Sequence, residues 1–162
     1  MPLPKKVIVV RHGARIPGED VLAGYGRRQM EYMATQLRDH CAGQRCVVYA
    51  STAKRGRDSA AALSAILELT PELRDALWTE SSREFDDVGI LACIDVGDRF
   101  DVVILVTHYE VASWLPEELM RWRLDTSEFR RPRSHPSEGV GASIIVDCVA
   151  KTCTDVPAFE GD

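Results

Sequence analysis

Three short segments of this chain are apolar almost throughout: Lys6-Val7-Ile8-Val9-Val10, Cys46-Val47-Val48-Tyr49-Ala50 and Val102-Val103-Ile104-Leu105-Val106. A strand with one face in water alternates polar and apolar residues. A strand rich in β-branched residues without that alternation needs cover on both faces. Three such strands demand a sheet with helices on either side.

The segments between them supply the helices. Met30, Met33, Ala34 and Leu37 recur at helical spacing, which predicts a helix from about Gly26 to Asp39. Ala61, Ala62, Ala65 and Ile66 form the apolar side of a second, Arg57 to Leu69, with Pro71 beyond its end. Ala76-Leu77-Trp78 reads as a short strand, and the rhythm from Val88 to Val96 fits a helix. Glu110 to Leu115 starts another helix. Pro116 either kinks it or begins a new one reaching about Arg123. Gly141 to Val146 reads as a last strand nearer a sheet edge, and the tail from Thr152 to Asp162 has little core character. Strands alternating with helices imply an α/β domain of three layers, α/β/α, around a mainly parallel sheet. With no repeat or linker, residues 1–162 are expected to form a single domain.

Composition narrows the classes of function. Of the 162 residues, 45% are hydrophobic and 28% charged, as in ordinary globular proteins, and the net charge of −5 argues against a nucleic-acid partner. No apolar run approaches the ~20 residues of a membrane span. The basic start, Met1 to Lys6, precedes an apolar stretch too short for an export signal. Cys41, Cys46, Cys93, Cys148 and Cys153 are odd in number and lack both a disulfide framework and the tight spacing of a zinc site. They are expected to be reduced, in a cytoplasmic protein with no metal. Nothing in the sequence speaks to oligomeric state.

The chemistry lies at the strand ends. A parallel sheet binds ligands beyond the carboxyl ends of its strands. Here those ends read Arg11-His12-Gly13-Ala14-Arg15, Ser51-Thr52-Ala53-Lys54-Arg55 and Thr107-His108-Tyr109-Glu110. If the strands are parallel, two of the four histidines meet arginines and a serine in one crevice. Guanidinium forks match phosphate oxygens and never lose their charge. A neutral imidazole attacks phosphorus, and nearby cations favour that neutral form. Gly13 would let a phosphate approach the backbone closely.

These blocks resemble those of the histidine phosphatase superfamily, also called phosphoglycerate mutase-like. Arg11-His12-Gly13 is similar to its nucleophile motif. Leu22 to Gln29 resembles a Leu-Thr-x-x-Gly-x-x-Gln segment, with Ala23 in place of the threonine. Ser51 through Arg55-Gly56 to Ser59-Ala60 resembles its arginine block, and Thr107-His108 its second-histidine block. The resemblance implies a phosphatase without a cofactor, acting through a phosphohistidine on His12. Arg11, Arg55 and His108 would bind the phosphoryl group. Arg-His-Gly-x-Arg-x-Pro, from Arg11 to Pro17, also looks like the motif of the longer acid-phosphatase branch. Arg15 would then be either a third guanidinium in the site or a surface partner of Glu19 or Asp20.

A poor leaving group must be protonated as it departs, so a carboxylic acid is expected beside it. The resemblance favours Glu80, in Leu77-Trp78-Thr79-Glu80, with Asp75 and then Glu110 as alternatives. The expected substrate is a phosphorylated small molecule or a phosphoprotein. A phosphomutase fits less well, because no long insertion is present to keep water out. A non-catalytic module that binds a phosphorylated partner is the rival from another class. Arg121 to His135, with five arginines, would be either a solvated loop or a flap steering anionic substrate. Trp114 and Trp122 are expected to pack. His40 is expected to end a helix as a favourable partner for its dipole, and His135 to lie in a loop.

Overall fold

The computed structural model of the chain describes residues 2–126 and 139–161. Six strands, β1 (Lys6–Arg11), β2 (Cys46–Ala50), β3 (Glu72–Leu73), β4 (Val102–Thr107), β5 (Ser143–Asp147) and β6 (Thr152–Val156), form one sheet in the order β3-β2-β4-β1-β5-β6. The neighbours β3-β2, β2-β4 and β4-β1 pair in parallel, whereas β1-β5 and β5-β6 pair antiparallel.

The apolar runs are doubly covered for the reason their composition requires. Val7, Val9, Val103 and Leu105 point into one core, built with Ile90, Ile94, Val111, Leu115 and Leu119. Ile8, Val10, Ile104 and Val106 point into the other, against Met30, Met33, Leu37, Ala60 and Leu63. Helices α1 (Gly24–Cys41) and α2 (Lys54–Leu67) form the second layer, and α3 (Asp87–Ile94) and α4 (Tyr109–Glu118) the first. Each buried branched side chain contributes about 1.5–3 kcal/mol through removal from water.

Three expectations are corrected. Residues Ala76 to Trp78 are not a strand. The chain makes a 3₁₀ turn over Asp75–Leu77 with Trp78 N–H bonded to the Asp75 carbonyl, while the strand pairing with β2 is Glu72–Leu73. The tail does contribute to the sheet. Thr152–Val156 is its edge strand, with Cys153 and Val156 packed on opposite cores. His40 is not a cation at the α1 terminus. Burial first, then Lys6, lowers its pKa, and the Lys6 ammonium lies 2.9 Å from its Nδ1. Pro116 lies inside α4, which runs on into a π-helical segment, Leu119–Arg123. Trp114 packs edge-on against Phe85, whereas Trp122 is exposed. The Arg121 to His135 stretch lies outside the described residues from 127 to 138, and His135 with it.

Candidate active site

Register builds the site. Strand β4 lies between β1 and β2, so Arg11 stands beside Thr107, and Ala50 beside Val106. The pairing continues past the strands. His12 N–H donates to the Thr107 carbonyl at 3.0 Å, and Ser51 N–H to the Val106 carbonyl at 3.0 Å. His12, His108 and Ser51 are thereby set side by side, with the two imidazole centroids 5.1 Å apart. A cleft of about 310 Å³ opens over these ends, lined among others by Arg11, His12, Arg15, Arg55, Glu80, His108, Tyr109 and Glu110.

Each histidine is oriented by its own partner. His12 Nδ1 lies 2.8 Å from the Gly13 carbonyl, which only accepts, so Nδ1 carries the proton and Nε2 the lone pair. Burial, with Arg55, Arg11 and Arg15, pushes the His12 pKa from 6.5 down to about 4, although the Gly13 carbonyl opposes this. His108 Nε2 lies 2.6 Å from Ser51 Oγ, which also accepts from Ala53 N–H at 3.1 Å. The Ser51 hydroxyl thus joins the His108 ring to the first turn of α2 and fixes the orientation of the imidazole. Nδ1 is buried without a partner among the described residues. Burial, His12 and Arg55 push the His108 pKa to about 3.

The cations have separate supports. Arg11 lies 5.6 Å from the Tyr109 ring centroid and feels the Glu110 carboxylate. The Arg55 side chain is only 12% exposed. Its Nη1 donates to Asp20 at 2.8 Å, and its Nη2 is 3.9 Å from Glu80. Arg15 pairs with neither Glu19 nor Asp20 among the described residues, and it lines the cleft.

Position sets one of the three acid candidates apart from the other two. Glu80 lies in the cleft because Thr107 Oγ1 donates to the Leu77 carbonyl at 2.7 Å, which ties the 3₁₀ turn to the end of β4. Asp75 does not line the cleft. It is exposed and bonded to Thr52 and Arg83. Glu110 lines the cleft from the first turn of α4, with Oε1 buried.

Gly13 is not among the lining residues, and its N–H donates to Ser59 Oγ at 3.0 Å. The need for glycine comes from behind. A Cβ there would overlap the Gly26 carbonyl, and one on Gly26 the Ala14 carbonyl. Ser51, Ser59 and Gln29, whose Oε1 accepts from Ala14 N–H at 2.8 Å, support the site without having been singled out for it as clearly as the histidines. The sequence offers Asp20 only as a surface partner for Arg15, whereas in the fold it bonds to Arg55. Among the described residues, no group of three or more His, Cys, Asp or Glu could hold a metal ion.

No family model and no curated protein sequence matches the chain. Solved structures do. One assigned as the phosphohistidine phosphatase SixA from Nakamurella multipartitia superposes with a TM-score of 0.67 at 21% identity, over 96% of this chain and 95% of that one. The protein histidine phosphatase SixA complexed with tungstate gives 0.63 at 17%, over 96% of each chain. The phosphoglycerate mutase from Plasmodium falciparum gives 0.58 at 16%, over 96% and 89%. The chain therefore has the three-layer α/β/α fold common to these histidine phosphatases and this mutase.

Proposed function

We propose that the chain is a phosphatase that transfers a phosphoryl group to His12 and hydrolyses the resulting phosphohistidine. One observation carries the reading: the proton of His12 is held on Nδ1 by Gly13, so a neutral imidazole with a free Nε2 lines a cleft ringed by Arg11, Arg15 and Arg55. In the first step Nε2 attacks phosphorus. The bond to the leaving oxygen breaks, and Glu80 gives that oxygen its proton. In the second, water attacks the phosphohistidine, Glu80 takes a proton from it, and the bond to Nε2 breaks with phosphate leaving. Charge spread over the equatorial oxygens would be met by the guanidinium groups and by the His108 ring, which line the cleft with His12.

The neighbours described as phosphohistidine and protein histidine phosphatases support a phosphorylated protein side chain as substrate. All five cysteines are free thiols, which supports a cytoplasmic site of action. No described helix is long and apolar enough to cross a membrane.

The test is trapping. Wild-type protein quenched during turnover of p-nitrophenyl phosphate should carry acid-labile phosphate, and His12→Ala should carry none and turn nothing over. Phosphate binding without turnover at any pH would make the protein a binding module instead.

A further inference from the structure

The loop after β1 folds back on itself. Arg15 and Leu22 form an antiparallel bridge, Ile16 N–H donates to the Val21 carbonyl at 2.8 Å, and Gly18 takes φ +78° in the turn between. One limb of this hairpin carries Arg15 to the cleft. The other carries Asp20 to the start of α2, whose N-cap residue, Ala53, has no side chain able to cap it. Asp20 supplies what Ala53 lacks. Its Oδ2 accepts from Lys54 N–H at 3.1 Å and its Oδ1 from Arg55 N–H at 3.1 Å. The same Oδ1 accepts from Arg55 Nη1 at 2.8 Å. One oxygen thus joins the backbone and the guanidinium of a single residue, so the cap also sets where the guanidinium points. Glu80, 3.9 Å from Nη2, is too far to do this by hydrogen bonding.

We propose that Asp20 is a positioning residue for phosphoryl transfer, fixing the Arg55 guanidinium by Nη1 so that its other N–H groups face the phosphoryl group. This rests on the phosphatase reading above. Burial raises the Asp20 carboxyl, but the bonds from Arg55 and Lys54 outweigh it and hold the carboxyl below its ordinary range, so the anion persists at neutral pH. A side chain that misplaces a charge by about 1 Å in such a site costs as much as ~100-fold in rate.

The experiment is a double-mutant cycle on kcat/KM for p-nitrophenyl phosphate and on affinity for inorganic phosphate. It uses wild type, Asp20→Ala, Arg55→Ala and the double variant. Asp20→Ala is expected to lose roughly 10- to 100-fold in kcat/KM, mostly in kcat. In the Arg55→Ala background it is expected to cost no more than about two-fold. Equal losses in both backgrounds, or a normal kcat/KM in Asp20→Ala, would overturn the proposal, since a merely structural cap acts whether or not Arg55 is present. Asp20→Asn keeps an oxygen on the guanidinium and covers the case in which Asp20→Ala does not fold. Its loss should be smaller and should likewise vanish with Arg55→Ala, and an additive loss counts against the proposal. If the wild type holds phosphate but does not turn over, the catalytic reading fails, and the cycle on phosphate affinity still decides for or against Asp20.

Discussion

His12 Nδ1 and the Gly13 carbonyl oxygen, 2.8 Å apart, fix the tautomer on which the site depends: the proton faces the backbone, and the lone pair belongs to Nε2. The same burial that holds the ring there keeps it neutral, and this has a consequence for stability.

Folded, His12 titrates near pH 4 and His108 near pH 3, whereas the unfolded chain protonates both near 6.5. Between these values the unfolded state binds more protons. Stability is therefore full above pH 6.5 and falls as the pH is lowered toward 4. Urea unfolding between about pH 7 and pH 5 should show this fall, with a smaller slope in His12→Asn and in His108→Asn. An unchanged slope in both variants would contradict the buried neutral pair.

Glu80 and Glu110 line the same cleft, so the leaving group must distinguish them. Glu80→Gln should cripple hydrolysis of an alkyl phosphate, spare p-nitrophenyl phosphate, and flatten the alkaline fall of kcat/KM. Glu110→Gln and Asp75→Asn should stay close to wild type on both substrates. Were Glu110→Gln to show the leaving-group effect, the acid would sit on α4.

Ser51→Ala removes the hydroxyl from His108 Nε2 and from Ala53 N–H together, both in a buried setting. A loss of about 1–3 kcal/mol in stability is expected. Activity should fall roughly ten-fold, because His108 loses the bond that orients its ring. Full activity in a folded Ser51→Ala protein would mean that packing alone orients His108.

Gly26→Ala would drive a methyl into the Ala14 carbonyl, and Gly13→Ala one into the Gly26 carbonyl. Backbone must move in either case, so each variant should lose roughly 1–3 kcal/mol or more by chemical denaturation, beyond any change in turnover. Stability equal to wild type in both would show that the loop and α1 separate freely.

The sequence by itself determined the layers and the strand ends. Val7 to Val10 and Val102 to Val106 are apolar on both faces, and that pattern admits only a doubly covered central strand. Arg11-His12 and Thr107-His108 follow those runs directly, so locating the strands located the histidines. The edge strand Thr152–Val156 was not legible in the same way. Its side chains are exposed or half-buried, and backbone pairing with β5 adds to the packing of Cys153 and Val156 in holding it. The 3₁₀ turn over Asp75–Leu77 reads as a strand because it buries Leu77 between the half-buried Ala76 and Trp78, a pattern that a short strand shares.

Tertiary structure decided the partners. Ser51 finds His108 across 57 residues, Ser59 finds Gly13 across 46, and Asp20 finds Arg55 across 35. Such a bond leaves no periodic trace in the chain, because it depends on where two loops end after the sheet has set their directions. Which carboxylates reach the cleft is decided in the same way. The bond from Thr107 to Leu77 ties the Glu80 loop to the end of β4, and the first turn of α4 carries Glu110 there, while Asp75 turns outward to Arg83.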